Sequence, residues 1–307
     1  MQTRRRFLAI TAAAPFALAS AARAAPPATL PPVWTGIALG ARASLRLDHP
    51  DAARIAEEVT SEIARLERIF SLYQPHSTLM RLNRTGRVEA PPPELLECLT
   101  LAGAVHRASD GRFDPTIQPL WALWAEQAAA GARPAPAELA AVRARGGWTD
   151  LRLDSGMVAL APGMALTLNG IGQGYIADRV AALLDSRGLT DILIDTGEMR
   201  ALGGQPDGSA WPVTLAEGGL VPLRQRALAT SAPLGTTFDA GGKSGHILDP
   251  VSGETARPVW RGVSISAPSA ALADALSTAA CLTKVKADID AILSFFPDAR
   301  CEAAVPA

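Results

Sequence analysis

The chain has 307 residues, of which 48% are hydrophobic and 19% charged, and its formal net charge at pH 7 is −1. This composition excludes intrinsic disorder, because so much apolar surface can build a large core. The absence of a basic excess argues against a nucleic-acid-binding domain. Three cysteines are too few for a disulfide framework or a zinc cluster. We expect them to be small buried residues, with a bridge between Cys281 and Cys301 as the alternative.

The N-terminus predicts an export signal. Three consecutive arginines in residues 3–8 precede an apolar run over residues 9–19, and Ala22-Arg23-Ala24 follows as a small-x-small cleavage site. We interpret residues 1–24 as a twin-arginine signal peptide for export to the periplasm, and residues 25–35 as a linker. The alternatives are an ordinary Sec signal and a retained anchor, although the apolar run is too short to span a bilayer. Removal of the signal would leave 25 basic and 30 acidic residues, a net charge near −5.

The next part of the chain predicts one strand followed by helices. Alternating small and apolar residues over 36–47 are typical of a strand, and apolar residues recur at helical spacing over 51–70. A second helix is predicted over 94–106, and it ends before a loop at 112–116. Residues 126–148 are rich in Ala, Gly, Pro and Arg, and we interpret them as a surface excursion.

A glycine-rich turn marks the middle of the chain. The pattern predicts a strand at 164–168, the turn Asn169-Gly170-Ile171-Gly172-Gln173-Gly174-Tyr175, and a helix after it. Such a turn lets backbone N–H groups approach a phosphate closely. Its G-x-G-x-G spacing differs from the G-x-G-x-x-G of dinucleotide sites, so a tight turn without a ligand is the alternative.

The last third predicts further strands and helices, and the whole chain is therefore assigned to the mixed α/β class, with one domain over residues 36–305. The predicted strands cover residues 192–195, 211–215, 227–230 and 263–266, and the predicted helices cover 270–282 and 287–296.

Two short C-terminal segments carry candidate chemistry. Asp274 and Thr278 are four residues apart on a predicted helix, where both can reach one hard cation. An exposed helix face is the alternative. His246 stands beside the turn Asp249-Pro250 and titrates near neutral pH, so it is a candidate base, with a structural turn histidine as the alternative. A cation and a base together indicate phosphate chemistry.

These segments belong to a series of blocks that occur in one order along the chain. In them the sequence resembles the ApbE family, the FAD:protein FMN transferases, from about residue 36 to the C-terminus. The amino-acid sequence of the glycine turn, together with the Asp-Thr-Gly-Glu that follows, is similar to that of family members associated with nitrous oxide reduction. The blocks are residues 69–77, 82–83, 111–116, 169–175, 197–201, 245–250 and 273–278.

The resemblance implies a single α/β domain, related to the T-fold, of two interleaved halves with FAD in the cleft between them. It implies that FMN is moved from FAD to a Ser or Thr hydroxyl of an acceptor protein, with release of AMP and a requirement for Mg²⁺. The implied acceptor is a respiratory or redox protein, such as a membrane-associated flavoprotein subunit. The alternatives are a periplasmic protein that binds FAD or splits it into FMN and AMP, and a structural maturation partner.

The resemblance also implies roles for individual residues. His246 and Asp274 would be catalytic, and Mg²⁺ would be held by Asp274, Thr278 and backbone oxygens at Gly170 and Ala271. The implied FAD contacts are Leu39, Tyr73, Arg112, Phe113, Asp114, Thr167, Gln173, His246 and Ile247. For Tyr73, packing in the core is the alternative.

Four positions depart from the family pattern. Leu39-Gly40-Ala41 stands where many members have Met-Gly-Thr, and Thr167 and Gln173 stand where many carry charged residues. These departures bear on FAD affinity and on the arrangement around the cation.

Overall fold

The computed structural model describes residues 34–46, 49–205 and 207–307. The predicted signal peptide and most of the predicted linker lie outside these residues. Within the described ranges, no helix combines the length and the apolar character that crossing a membrane requires.

The described chain alternates strands and helices. Two short 3₁₀ helices, Pro115–Ile117 and Trp148–Asp150, accompany the regular elements. In chain order the regular elements are β1 (Trp34–Ala38), β2 (Ala41–Arg46), α1 (Ala52–Phe70), α2 (Thr78–Thr85), β3 (Arg87–Glu89), α3 (Pro93–Ala108), α4 (Gln118–Ala129), α5 (Pro136–Arg143), β4 (Arg152–Leu153), β5 (Met157–Ala159), α6 (Gly172–Asp185), β6 (Ile192–Asp195), β7 (Met199–Leu202), β8 (Trp211–Thr214), β9 (Leu220–Leu223), β10 (Ala227–Ser231), β11 (Trp260–Ala267), α7 (Ala270–Ala280), α8 (Lys286–Leu293) and β12 (Arg300–Pro306).

A seven-stranded antiparallel sheet organises the fold, in the order β1-β2-β6-β7-β10-β11-β12. The N-terminal hairpin of β1 and β2 joins this sheet by pairing Ser44 with Asp195, far along the sequence. The first segment of the domain is therefore built into a sheet made mostly by the second half. This pairing agrees with two interleaved halves and with the mixed α/β class.

Helices cover the sheet and enclose the main core. The apolar face of α1 is buried, as its spacing predicts, with Leu66 and Phe70 among its enclosed side chains. Helix α7 packs on β10 and β11, and it also contacts α3 and α6. Strand β11 lies between β10 and β12 in this sheet, α7 packs on it, and it is buried along almost its whole length.

The predicted strand at 36–47 is wrong in one respect, because the structure divides it into a hairpin. Leu39 and Gly40 form the turn, with positive φ angles of 48° and 87°. Alternation continues across this turn, so the sequence pattern alone does not reveal the break. The turn places Leu39 beside the glycine-rich segment.

The predicted strand at 164–168 is also absent. This segment is extended, but the side chain of Asn83 takes the place of a neighbouring strand. The Asn83 amide accepts from Leu166 N at 2.7 Å and donates to Leu166 O at 2.8 Å. A side chain that satisfies both backbone groups removes the need for a β-ladder.

The stretch at 126–148 lies mostly at the surface, as the sequence predicts, but a large part of it is helical. It contains the end of α4 and all of α5, and these helices share a small core with a later segment. Trp124, fully buried, donates from its indole nitrogen to Gly253 O at 2.8 Å.

Cys98, Cys281 and Cys301 are free thiols, so the alternative of a disulfide between Cys281 and Cys301 is wrong.

Candidate active site

The start of α6 and the start of α7 meet at Gly174. A Cβ built on Gly174 would lie 2.3 Å from the carbonyl oxygen of Ala270, so the approach of the two helices requires glycine. The N–H of Gly174 donates to Oδ2 of Asp274 at 3.3 Å. The glycine-rich turn thus holds the predicted cation ligand directly.

Helix α7 is fixed at its N-terminus by a carboxylate from α6. Asp178 accepts from the N–H groups of Ala270 at 2.8 Å and Ala271 at 2.9 Å, and Arg200 pairs with it at 3.2 Å. A carboxylate at this position accepts hydrogen bonds from N–H groups that have no partner within the helix. Its negative charge also interacts favourably with the positive end of the helix dipole. The predicted ligand Ala271 therefore lies at an anchored helix start, in the turn before Asp274.

Asp274 is almost fully enclosed, with 4% of its surface exposed. Burial raises the pKa of Asp274 to about 7, the charge of Asp178 acts in the same direction, and the Gly174 N–H opposes the shift. An isolated buried carboxylate is unfavourable, and a cation would stabilise its charged form.

Thr278 lies close to the first glycine of the turn. Its Oγ1 is 3.3 Å from Ser231 Oγ, and a Cβ built on Gly170 would stand 3.1 Å from it. The same position would stand 3.2 Å from Cε2 of Phe113. The structure therefore brings Gly170, Phe113, Asp274 and Thr278 into one place, as the predictions require.

The loop with the predicted FAD residues Arg112, Phe113 and Asp114 is held by local hydrogen bonds. Arg112 donates to Ser109 O at 2.9 Å. Asp114 accepts from both the N–H and the hydroxyl of Thr116, at 2.8 and 2.6 Å. The side chains of Arg112 and Asp114 thus both bond within the loop region, and Phe113 N donates to Ser109 Oγ at 3.0 Å.

This loop is also connected to the segment before the glycine turn. Thr167 N donates to Pro115 O at 2.8 Å, which places the predicted FAD residue Thr167 beside the loop. His106 bonds Phe113 O through Nδ1 at 2.9 Å and stacks on Trp148.

Leu39 and Tyr73 belong to the part of the chain around the β1–β2 hairpin turn, and Leu39 lies beside the glycine turn. Leu39 Cδ1 is 3.0 Å from where a Cβ of Gly172 would stand, and Leu39 N donates to Glu67 at 2.8 Å. The side chain of Tyr73 lies beside Gly40 and is 69% exposed, so the alternative of core packing is wrong.

Gln173 is tied to the turn between β6 and β7 through its backbone. Its carbonyl oxygen accepts from Thr196 Oγ1 at 3.2 Å. The first turn of α6 therefore meets both this β-turn and α7.

His246 belongs to a different segment from Asp274. Its backbone N–H and its Nδ1 both bond the carbonyl oxygen of Thr236, at 2.9 and 3.0 Å. Because a carbonyl oxygen only accepts, Nδ1 carries the proton, and Nε2 of the neutral ring keeps its lone pair. Burial lowers the pKa of His246, and the Thr236 carbonyl opposes the shift. The neighbouring Ile247 is buried.

Two neighbouring cavities lie away from Asp274. One of about 330 Å³ is lined by the predicted FAD residue Asp114 together with Thr116 and Pro250. The other, of about 730 Å³, lies between α2, α4 and the segment before the glycine turn, and the two share Arg145. Asp274 is not among the residues that line either of these two cavities.

Comparison with known proteins decides the family. The sequence profile of the ApbE family matches residues 39–299. The chain belongs to the ApbE family. An FAD:protein FMN transferase of Chlamydia muridarum is 29% identical over 235 residues, which cover 73% of this chain and 74% of that protein.

Solved structures of the ApbE family share the fold. The flavinyl transferase ApbE of Pseudomonas stutzeri, in its apo form, is 27% identical with a TM-score of 0.75, covering 85% of this chain and 86% of that one. The ApbE protein of Thermotoga maritima is 26% identical with a TM-score of 0.77, covering 89% and 96%. The recognition of the family from its ordered blocks is confirmed, and so is the fold class.

The structure adds two acidic residues, Glu198 and Asp178, to those that the sequence predicts for this ApbE site. Glu198 lies in one of the ordered blocks, and Asp178 lies within α6. Asp178 interrupts an otherwise apolar helix face, which is a usable signal. No comparable pattern marks Glu198, because its position depends on the pairing of β7 with β10.

Proposed function

We propose that this ApbE chain transfers FMN from FAD to a Ser or Thr hydroxyl of an acceptor protein, with Mg²⁺ bound at Asp274. The chain is a flavin transferase by family, and its curated relatives are FAD:protein FMN transferases. One observation supports the site above all others, namely the bond from Gly174 N to Asp274 Oδ2 at 3.3 Å. It places a buried carboxylate at a helix start, where phosphate groups also bind favourably.

The residues fit a hard cation. Asp274, the Thr278 hydroxyl and backbone oxygens at Gly170 and Ala271 are oxygen donors, which Mg²⁺ prefers over nitrogen or sulfur. When bound, Mg²⁺ would stabilise the negative charge that builds on the phosphate oxygens. The chain's own contribution is to hold Asp274 and Thr278 together through the anchored α7.

The FAD contacts would come from several segments around the glycine turn. Leu39 and Tyr73 would bind from the hairpin side, and further contacts would come from the loop at 112–114. Thr167, Gln173 and Ile247 complete the set of proposed contacts. The exposed ring of Tyr73 offers a flat apolar surface to the flavin.

His246 would act as the base. Its Nε2 would take the proton of the acceptor hydroxyl while that oxygen forms a bond to the FMN phosphorus. The bond from this phosphorus to the bridging oxygen breaks at the same centre, and AMP leaves with that oxygen. Burial keeps the ring neutral and ready to accept a proton near pH 7.

From the predicted twin-arginine signal we infer that this reaction takes place in the periplasm, where a membrane-associated flavoprotein subunit would be the acceptor. The similarity to members associated with nitrous oxide reduction favours an acceptor from such a pathway. Replacing Arg4 and Arg5 by Lys should retain the protein in the cytoplasm, as cell fractionation would show. Export of that variant at the wild-type level would contradict the proposed route.

The function is tested with purified protein that lacks residues 1–24. Incubated with FAD, Mg²⁺ and an acceptor domain that carries a target Thr, it should give a fluorescent acceptor band that resists denaturation. An acceptor with Ala in place of that Thr is the control. If AMP and free FMN form at the same rate without acceptor, the chain is a pyrophosphatase instead. If FAD binds and is not consumed, it is a binding protein.

A further inference from the structure

Glu198 is a buried acid with an incomplete set of partners. It lies in the turn between β6 and β7, and only 8% of its surface is exposed. The N–H of Thr230 on β10 bonds its carboxylate. Its Oε2 atom is buried and has no hydrogen-bond partner. A buried polar atom without a partner costs free energy, so its presence requires an explanation.

The surroundings place Glu198 at the same site as Asp274. Its turn is joined to the first turn of α6 by the bond from Thr196 Oγ1 to Gln173 O at 3.2 Å. The next residue of α6, Gly174, donates to Asp274 at 3.3 Å. Both carboxylates thus adjoin the start of α6.

A second connection runs through β10. Thr230, which bonds Glu198, precedes Ser231, and Ser231 Oγ lies 2.7 Å from Ser277 Oγ and 3.3 Å from Thr278 Oγ1. Glu198, Asp274 and Thr278 therefore adjoin the same two segments, the start of α6 and the end of β10.

The charges of Glu198 and Asp274 are not balanced by the nearby arginine. Arg200 pairs with Asp178 at 3.2 Å. Burial raises the pKa of Glu198 well above its ordinary value, and the charges of Asp274 and Asp195 raise it further, against the Thr230 N–H. Two buried carboxylates that disfavour each other's charge are stabilised together by a divalent cation.

We propose that Glu198 supplies the second carboxylate of the cation site at Asp274 and Thr278. This inference rests on the proposed function, since it concerns the same cation. Among the residues described, no group of three or more His, Cys, Asp and Glu is arranged to hold a metal. The remaining ligands would then be hydroxyl and backbone oxygens and the phosphates of FAD.

The test measures Mn²⁺ binding, which does not depend on turnover. Mn²⁺ is titrated into wild type, Glu198→Gln, Asp274→Asn and the exposed control Glu89→Gln, with and without FAD, and free Mn²⁺ is read by electron paramagnetic resonance. We expect Glu198→Gln to weaken Mn²⁺ binding about 10- to 100-fold and Glu89→Gln to leave it unchanged.

A second readout separates a ligand from a structural acid. Without metal, Glu198→Gln should melt at or above the wild-type temperature, because it removes a buried charge. Its gain in melting temperature on adding Mn²⁺ should be smaller than that of wild type. A Glu198 with only a structural role would lower the metal-free melting temperature and leave this gain intact. If Glu198→Gln does not fold, Glu198→Asp is used, and it should also bind Mn²⁺ more weakly.

The outcomes for the two acids are distinguishable. If Asp274→Asn loses Mn²⁺ binding and Glu198→Gln binds as wild type, the inference about Glu198 is overturned while the proposed cation site stands. If Asp274→Asn also binds as wild type, or wild type binds no Mn²⁺ with FAD present, the cation site of the proposed function fails.

Discussion

At the scale of single residues, His246 and Gly174 show how backbone contacts prepare the site. The Thr236 carbonyl fixes the ring of His246 through Nδ1, so the imidazole needs no further ordering before it accepts a proton. Gly174 contributes in a different way, because it has no side chain and therefore lets the backbones of α6 and α7 come into contact.

For His246 we predict that replacement by Gln lowers the turnover number for flavin transfer about 100-fold or more, with little change in FAD affinity, because the base is lost and the fold is kept. The exposed His76→Gln is the matched control. Rates are measured by fluorescence of the flavin-labelled acceptor.

The pH profile of wild type gives a second check on His246. Because burial lowers its pKa, the ring stays neutral in the folded enzyme until the pH falls below the ordinary value of about 6.5. In saturating Mg²⁺, which would hold Asp274 in its charged form, the acid limb of kcat/KM should therefore have its midpoint below that value, and it should vanish in the Gln variant. A midpoint above it would argue against His246 as the base.

For Gly174 we predict that substitution by Ala destabilises the protein by about 2 kcal/mol or more, because the new Cβ would overlap the backbone of Ala270 and Ala271. Gly156→Ala is the control, since its Cβ would meet only Asp154 Oδ1 at 3.4 Å. Urea denaturation measures both. Equal stabilities would show that the two helices separate at little cost.

At the scale of elements, α7 is the part of the fold that carries the candidate cation ligands. Its N-terminus is held by Asp178 from α6, and its sides pack on β10, β11 and α3. The geometry of Asp274 and Thr278 therefore depends on a contact that α6 makes with the start of α7.

We predict that Asp178→Asn lowers the free energy of unfolding by about 1 to 3 kcal/mol, because it weakens two backbone hydrogen bonds and leaves Arg200 without its charge partner. The control is Asp290→Asn, which removes an exposed pair with Lys286 and should cost little. Thermal denaturation compares the two. A loss no larger than that of the control would mean that α7 is held by packing alone.

At the scale of the whole molecule, the sequence predicts local elements well and distant pairings poorly. The helical spacing of α1, and the strands around β6, β10 and β11, follow from patterns within short windows. The placement of the N-terminal hairpin beside β6 depends on contacts between distant segments, which no local pattern contains.

The candidate site likewise contains residues that a local pattern predicts and residues whose role depends on contacts between distant segments. Asp274, Thr278 and Gly170 could be predicted because a helical spacing and an ordered set of blocks mark them. Glu198 could not, since its burial beside Asp274 arises only when β7 pairs with β10 and the turn before it meets α6. The false strand at 164–168 has a similar cause, because a distant Asn83 replaces the expected ladder.

We propose that flavin transfer depends on a cation site that the start of α6 and helix α7 build together. The most direct measurement is the rate at which Asp274→Asn transfers FMN from saturating FAD to a Thr acceptor in saturating Mg²⁺. Asp290→Asn is the control. We predict a loss of about 100-fold or more, with FAD binding retained. Transfer by Asp274→Asn at the full wild-type rate would contradict the claim.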